Sequence, residues 1–417
     1  MKSPFYEIWL VVGSENINIT DYIDSFDYED CLNEDDMLTL KIQSNNFEFL
    51  DKKEVAVGKF VLFQFGYVGG LKSSLNKARI TDIETTYDSL VGITIKCYDM
   101  GTVMKKTTEQ SIWKNKKASD IAKEIAVKYG LEAEVEETKK TYDTLPQGSK
   151  TDFQFLQYLA NMEENGSFRF FVKDNTLYFN KKNLKQDAKR LYIYKDNSAT
   201  ATMISFKPAL RESSQKSSSE AVNIASFNPL KQEIIEVKLD NANTKEDVRL
   251  GNSVPRYDVN GNLISKGSKS HQKKTKEQKN NASNSLVSPE FSITSLQDKA
   301  HSKKKKQSEK ILTATLTIEG DPTLRADEII TILGVAKMHS GNWYIEKIKH
   351  TISSSGYITT LELLKNAINT KGTGLAINNS ASVVALPNGT PKNETQGQIN
   401  NSSKKTIPRY DANGNKL

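Results

Sequence analysis

Cysteine and histidine are scarce in this chain of 417 residues, which contains two cysteines and four histidines. Cys31 and Cys97 are too few for a disulfide framework, and both lie near strand-like segments. This excludes the class of small disulfide-stapled secreted domains. The cysteine content predicts a protein that is assembled in a reducing cytoplasm.

The histidines do not form a pattern that is typical of catalysis or of metal binding. His271 and His301 fall in a polar linker that cannot hold catalytic or zinc geometry, and His350 alternates with apolar residues as a packed strand residue does. The sequence has no Cys/His cluster, G-x-S-x-G, P-loop or H-E-x-x-H motif. Paired carboxylates for glycoside hydrolysis have no sequence signature, and no pattern here indicates them. We therefore predict no catalytic residue, no metal and no cofactor.

Long apolar runs are also missing. No window approaches the roughly 20 uninterrupted apolar residues that a membrane-spanning helix needs. The first residues, MKSPFYEIWLVVGSEN, lack the long apolar region and small-residue cleavage site of a signal peptide. We expect a protein without a membrane span that leaves the cell, if at all, as part of a particle.

The net charge of +7 is concentrated in one segment. Of 58 basic and 51 acidic residues, 12 lysines and four acids lie between Lys266 and Lys310, which leaves 46 and 47 elsewhere. The remaining chain is therefore nearly neutral, and a basic nucleic-acid-binding face on a folded domain is not indicated. Within the segment, Lys303–Lys306 could contact nucleic acid or a membrane surface, but a solvated helix face or an arm at a subunit boundary fits it better.

The segment from Ile311 to Asn366 has the pattern of a compact antiparallel β unit. Apolar residues alternate with threonines at its start, and the same two-residue period returns in two later runs separated by Ser354–Gly356, a hairpin-turn sequence. The period predicts one buried face for the first strand. Its members are Leu312, Ala314, Leu316 and Ile318.

Alternating patterns also predict a first β domain over residues 1–105. From 106 to 189 the pattern becomes helical, with a first helix stopped by Gly130 and a second that opens on the capping box of Thr151 and Gln154. A hairpin that turns at residues 173–175 follows. This part of the sequence predicts a small α+β insert domain.

Strand patterns return after residue 190. We expect a second β domain formed by residues 190–250 and 311–366, interrupted by a basic low-complexity linker over 251–310. Residues 367–417 are polar and are expected to form a flexible tail. The predicted fold class is mainly β, with two tube-like antiparallel barrels flanking the insert.

Three regions of the sequence resemble one known family. Gly320-Asp-Pro-x-Leu-Arg-Ala is followed by Gly341-x-Trp-Tyr-Ile, His350 and Gly356-Tyr-x-Thr. These words, together with the order of segments in the insert and in the first β domain, resemble the late control D proteins of phages. That family comprises the baseplate hubs of contractile tails and is related to the head of the type VI secretion spike.

The resemblance implies a structural protein and not an enzyme. It implies a homotrimer whose six β domains adapt a sixfold tail tube to a threefold spike, in a phage or a phage-tail-like bacteriocin. The implied partners are the tail tube protein, a separate spike protein, and baseplate wedge and tape-measure proteins, with nucleic acid at most passing through the lumen. The implied location is the baseplate of a virion or tail-like particle assembled in the bacterial cytoplasm. The alternatives are a tail-associated cell-wall hydrolase and an adhesin or effector-loading spike head.

A short motif occurs twice, in VPRYDVNGNLI and again in IPRYDANGNKL at the C-terminus. Its alternating oxygen ligands resemble the start of a calcium loop, but the bidentate glutamate is missing in both copies. A locally folded hairpin around Asn-Gly and a docking motif for a partner remain open. The candidate docking residues are Pro255, Arg256, Tyr257 and Asp258 in the first copy and Pro408, Arg409, Tyr410 and Asp411 in the second.

Overall fold

The computed structural model describes residues 3–369, except 13, 33, 45–48, 53, 107, 109, 195–202, 211–221, 229–231, 240–247, 253–284 and 288–292, and it also describes 383–385 and 391–393. Both copies of the repeated PRYD motif, and with them all eight candidate docking residues, lie outside the described residues. Among the helices that are described, none has the length and apolar character needed to cross a bilayer.

One 13-stranded sheet dominates the fold. Its strands are β1 (Pro4–Val12), β2 (Glu15–Asn18), β3 (Ser25–Cys31), β4 (Met37–Ser44), β5 (Phe60–Tyr67), β6 (Asn76–Tyr87), β7 (Val91–Tyr98), β13 (Arg190–Ile193), β14 (Met203–Leu210), β18 (Leu312–Glu319), β19 (Ile329–Leu333), β20 (Gly341–Ser353) and β21 (Gly356–Lys365). Short 3₁₀ turns lie at Thr20–Tyr22, Glu163–Asn165 and Lys337–His339. The mainly β fold predicted from the sequence is confirmed.

Two stretches of the large sheet have the same strand order. The first unit, β1 to β7, runs β3-β4-β7-β6-β5-β1, and the second unit, β13, β14 and β18 to β21, runs β14-β18-β21-β20-β19-β13. Both contain a hairpin with a bulge near its start, between Ile80 and Asp82 in β6 and between Ile345 and Lys347 in β20. The last pair differs, since β1–β5 is antiparallel and β13–β19 is parallel. The chain thus contains two units of related topology.

The strand registers place the residues of the two units in correspondence. A row of paired residues runs across four strands in each unit, and every member is apolar. In the first unit the row is Phe26–Leu40–Ile95–Ile83, and in the second it is Phe206–Leu316–Leu361–Ile348. The residue before each phenylalanine is also the same, Ser25 in one and Ser205 in the other.

The two units are joined through a single strand pair. The long strand β20 pairs with β19 over its first residues and with β3 over its last, from Lys347–Cys31 to Ile352–Phe26. The edge strand β3 of the first unit is therefore hydrogen-bonded to β20 of the second unit. Because backbone hydrogen bonds cross this boundary, the two units form one continuous sheet.

The insert lies between the two units in sequence. It contains α1 (Gly101–Met104), β8 (Ile112–Lys117), α2 (Ala118–Lys128), β9 (Glu132–Val135), β10 (Thr141–Pro146), α3 (Asp152–Met162), β11 (Phe168–Lys173) and β12 (Thr176–Lys181). The predicted capping box is confirmed, since Gln154 N donates to Thr151 Oγ1 and Thr151 N donates to Gln154 Oε1. The predicted hairpin is confirmed as well, with positive φ at both turn residues, Asp174 and Asn175.

The remaining elements depart from the expected organisation. Strands β15 (Val222–Asn228) and β16 (Glu233–Leu239) form a separate small sheet with β17 (Ser285–Val287), although we expected 190–250 to belong to the second β domain. Helix α4 (Ile293–Glu309) occupies part of the expected linker. Leu296 and Ala300 pack on the small sheet, and this burial of an apolar stripe explains why a polar segment is helical there.

Two short strands, β22 (Val383–Ala385) and β23 (Pro391–Asn393), pair with each other within the expected tail. The alternation predicted for β18 is confirmed, because Leu312, Ala314, Leu316 and Ile318 are all buried. The boundaries of the domains themselves stay a prediction.

Candidate functional site: a charged junction of three parts of the chain

Strand β3 brings a carboxylate to the inner face of the first unit. Its alternation places Phe26, Tyr28 and Asp30 on the same buried side, and Asp30 is 1% exposed. Two other parts of the chain meet this carboxylate, namely the turn between β11 and β12 of the insert and the loop between β18 and β19 of the second unit. Asp30 is therefore the point at which all three parts come together.

Two cations and an amide surround one oxygen of this carboxylate. Asp30 Oδ2 lies 2.7 Å from Lys173 Nζ of the insert and 3.0 Å from Arg325 Nε of the second unit. Ala326 N donates a hydrogen bond of 3.2 Å to the same oxygen. A buried carboxylate is stable as an ion only with such partners, so each part of the chain supplies what the others need.

Arg325 extends the junction in two further directions. Its Nη2 donates to both carboxylate oxygens of Asp174, at 2.9 and 2.8 Å, in the turn of the insert hairpin. Its Nη1 donates to Asn76 Oδ1 of β6 at 3.1 Å. A guanidinium presents its donors in a rigid plane, so this one side chain fixes the orientation of the insert and of both β units.

The charges shift the pKa values of the pair in opposite directions. Burial by itself would raise the pKa of Asp30, but the Lys173 and Arg325 charges outweigh it and the pKa is lowered. Burial likewise opposes the Arg325 cation, and the charges of its neighbours, Asp30 and Asp174 among them, hold its pKa well above the ordinary value. Both groups are therefore ionised at neutral pH.

A second set of contacts joins the insert to the second unit. Arg169 of β11 forms an ion pair with Asp327, and its Nη1 donates to Tyr344 Oη at 2.7 Å. Tyr344 in turn donates to Asp327 Oδ1 at 2.8 Å. The three side chains close a ring of polar contacts, which restrains the same interface at a second point.

Two buried carboxyl groups with raised pKa values lie beside the junction. Burial raises the pKa of Asp99 to about 8, with a contribution from Asp35, and burial together with Asp30 raises that of Asp36 well above its usual range. Asp36 accepts hydrogen bonds from Tyr28 Oη at 2.8 Å and from Cys31 N at 2.9 Å. Asp36 thus fixes β3 through hydrogen bonds, and Asp99 accepts a hydrogen bond of 3.2 Å from Asp36 N.

Across the seam between β3 and β20, acidic side chains of β3 face lysines of β20. Glu29 lies 2.6 Å from Lys347 Nζ and 3.1 Å from Lys349 Nζ, and Asp27 lies 3.8 Å from Lys349. Thr351 Oγ1 also donates to Asp27 at 2.6 Å. The acidic outer face of β3 is thus matched by a basic face on β20.

His350 lies at the centre of the seam and is fully buried. Its Nδ1 is 2.8 Å from Tyr357 Oη and 3.2 Å from Thr359 Oγ1, and its ring stacks on Tyr28. Burial, aided by the Arg325 charge, lowers its pKa to about 3, so the ring is neutral. The prediction that His350 is packed and hydrogen-bonded is confirmed.

The motif that begins at Gly320, on which the family resemblance partly rests, forms the loop of the second unit at this junction. A Cβ on Gly320 would lie 2.2 Å from the ring of Tyr357, so only glycine fits there. Asp321 accepts from Thr323 N at 3.0 Å and from Arg190 Nε at 2.8 Å, which shapes the loop that presents Arg325. The loop sequence is therefore explained by its geometry.

The other residues singled out from the sequence lie elsewhere. His301 is on α4 and His339 is near the start of β20, while His271 falls outside the described residues. The lysine cluster is only partly solvated, because Lys304 is 3% exposed and Lys305 Nζ donates to Ser167 Oγ at 2.9 Å. The expectation of a solvated face is corrected there, since the helix packs closely on Gly166 of the insert. Within the described part of the chain, no cluster of His, Cys, Asp and Glu is arranged to hold a metal.

A polar cleft of about 210 Å³ lies near the second set of contacts, between the insert, α4 and the second unit. Its charged lining residues are Arg169, Lys182, Lys306, Glu309 and Glu346. Lys182 Nζ lies 3.3 Å from Glu309 Oε2, so these charges balance one another. Arg169 and Tyr344 line the cleft and also belong to the second set of contacts, so the two adjoin each other.

Sequence reasoning did not identify Asp30, Lys173 or Asp174. A signal was present for Asp30, because it continues the inward alternation of Phe26 and Tyr28 and an acid at such a position needs a cation. Nothing local indicates which cation it meets, since Arg325 is 295 positions away in the sequence.

Comparison with known proteins gives a family and a fold. The family model described as "Alg8 N-terminal domain" matches residues 36–354. Among solved structures, the 43 kDa tail protein of prophage MuSo2 from Shewanella oneidensis superimposes with a TM-score of 0.59 at 11% identity, covering 87% of this chain and 99% of that one. A tail protein from Neisseria meningitidis superimposes with a TM-score of 0.56 at 12% identity, covering 87% and 97%. No curated protein sequence matches the chain.

Proposed function

The chain belongs to the family of the Alg8 N-terminal domain, and we propose that it acts as the structural baseplate hub of a contractile phage tail or a phage-tail-like bacteriocin. The family description names a domain and states no activity. The proposal draws instead on the fold that the chain shares with two phage tail proteins and on the resemblance of its sequence to late control D proteins.

One observation carries the proposal. The chain has two β units of the same strand order, and they are joined edge to edge by β3 and β20. A protein built from two such units presents two similar surfaces per chain to a neighbouring ring. Three copies would therefore offer six related units with threefold symmetry, which is what a sixfold tube and a threefold spike each require.

The charged junction suits this role. Arg325 and Asp30 hold the insert and both units in one orientation through contacts that are buried and charge-assisted. A hub that transmits force between tube and spike must resist rotation of its parts. We propose that the junction does not catalyse a reaction and that its task is purely mechanical.

The proposed partners are the tail tube protein on one side and a separate spike protein on the other, with baseplate wedge and tape-measure proteins around them. The proposed location is the baseplate of a particle that is assembled in the bacterial cytoplasm. Nucleic acid would contact the protein only while passing through the lumen.

The mass of the purified protein in solution tests the proposal. We expect a species of three times 46.8 kDa by light scattering, and end-on images that show a ring with a central opening. The tube protein of the same particle should bind one face of that ring. A protein that remains monomeric at every concentration, with and without tube protein, would rule out the hub.

A further inference from the structure

Two units of related topology allow a second strand pair that is equivalent to the one joining them. This second pair does not form within the chain. Strand β3 of the first unit pairs with β20 of the second. The strand equivalent to β3 in the second unit is β14, and the strand equivalent to β20 in the first unit is β6. In the described part of the chain, β14 pairs with β18 alone, and β6 pairs with β5 only as far as Arg79. One edge of each strand therefore has no neighbouring strand.

The exposure of equivalent residues shows the same difference. Phe26 of β3 is fully buried, whereas its equivalent Phe206 of β14 is only partly buried, and Ile204 on that strand is 56% exposed. Ile352 of β20 is 3% exposed, whereas Tyr87 of β6 is 71% exposed. Apolar side chains that the in-chain contact buries in one place are thus left at the surface in the other.

We propose that β14 of one copy pairs with β6 of a second copy of this chain, antiparallel and in the register of the in-chain contact. The register follows from the correspondence of the units and places Phe206 opposite Tyr87, Lys207 opposite Thr86, and Leu210 opposite Ile83. This inference rests on the proposed hub function and names the surface through which the hub assembles.

One charge contact of the seam has an equivalent along the two free edges, with its signs exchanged. In the chain, Asp27 of β3 faces Lys349 and Thr351 of β20. The equivalent residues are Lys207 of β14, which would face Glu84 and Thr86 of β6. The Asp27–Lys349 pair is therefore replaced by Lys207 facing Glu84, a carboxylate that also pairs with Lys96 in its own chain. Opposite charges thus face each other at this position in both contacts.

In the proposed hub, this contact closes three copies into a ring. The surface on β14 differs from the surface on β6, so the contact is of the head-to-tail kind and leaves one free edge at each end of any open chain of copies. Each new copy repeats the alternation of in-chain and between-chain contacts. Closure covers every such edge, which removes the exposed hydrogen-bonding groups that make an edge strand prone to aggregation.

Disulfide trapping tests the register directly. In the double variant Lys207→Cys with Thr86→Cys, the two thiols lie opposite each other on different copies, and both native residues are exposed. Mild oxidation should convert most of the full-length protein into covalent dimers and trimers on a non-reducing gel. The matched control is Lys207→Cys with Asp82→Cys, which is four positions out of register and should crosslink at least tenfold less.

A charge exchange tests the complementarity. Lys207→Glu should weaken self-association by about fivefold or less, the size expected of one exposed cross-strand charge pair. Adding Glu84→Lys should restore association to within about twofold of the wild type. Lys123→Glu changes the net charge equally on a helix of the insert and should leave association unchanged.

The outcomes separate this inference from the hub function. A trimer by light scattering in which neither double-cysteine variant crosslinks would overturn the strand pairing and leave the hub standing. Crosslinking of the register-shifted control as strongly as the matched pair would also overturn it. A monomer that never crosslinks under any condition would overturn both.

Discussion

Replacing Arg325 by methionine should strongly destabilise the protein. The change keeps an aliphatic side chain of similar length but removes the cation from Asp30, which stays 1% exposed with Lys173 as its remaining charged partner. Leaving a buried ion without its partner costs about 3–5 kcal/mol. A charge pair at 3.0 Å in an effective dielectric of about 20 gives the same order. We expect a loss of about 3–5 kcal/mol in the free energy of unfolding.

Urea unfolding followed by tryptophan fluorescence measures this loss. The three tryptophans lie in different parts of the chain, Trp9 in the first unit, Trp113 in the insert and Trp343 in the second unit. The control is Lys347→Met, which breaks a partly exposed pair in the seam and should cost about 1 kcal/mol or less. If Arg325→Met loses no more than this control, the junction does not hold the units together as described.

The pH dependence of the loss gives a second check. In the wild type the pKa of Asp30 is lowered, so its contribution to stability is present at neutral pH and is lost as the pH falls through the folded-state pKa. Without Arg325, burial acts against fewer opposing charges, and the folded-state pKa of Asp30 should rise. Protonation then relieves the buried charge, so the deficit of Arg325→Met should shrink between pH 7 and pH 5. A deficit that is constant with pH would contradict this assignment.

Three further outcomes are expected. Burial lowers the pKa of Lys365 to about 7, so unfolding takes up a proton between about pH 7 and about pH 10, where the unfolded lysine is charged and the folded one is neutral. Stability should therefore rise from about pH 7 to about pH 10 in urea titrations, and Lys365→Met should abolish that rise. Gly320→Ala should reduce stability by more than about 2 kcal/mol because its Cβ meets the Tyr357 ring, whereas Gly130→Ala, with open space around it, should cost only about 1 kcal/mol for its positive φ. Thr151→Ala should cost about 1 kcal/mol in the same assay through loss of a helix cap.

The sequence predicted those features whose cause is local. The alternation from Leu312 to Ile318 requires one buried face, and a threonine three residues before a glutamine makes a helix cap wherever the helix packs. The turn after β11 follows from Asp174 and Asn175, which tolerate positive φ. These features need no knowledge of the rest of the chain.

The junction could not be predicted in the same way. Pairing of β3 with β20 depends on residues more than 300 positions apart, and the two edges show only a general complementarity of acids and lysines. A helix face was expected around Lys303–Lys306, but the packing of α4 on β15 and β16 rests on Leu296 and Ala300 among the described side chains. A stripe of two apolar residues in a lysine-rich segment does not reveal which sheet will cover it.

The pairing of β3 with β20 also sets the order in which a newly made chain can fold. Residues 26–31 leave the ribosome long before their partners at 347–352, and at about 5–20 residues per second the wait is roughly 15–60 s. During that time the outer edge of β3 is open to other chains. Asp27 and Glu29 are partly exposed residues of this edge strand. Charged side chains on an open edge strand disfavour its pairing with strands of other chains. The same acids that bind Lys347 and Lys349 in the folded protein thus disfavour aggregation of the incomplete chain.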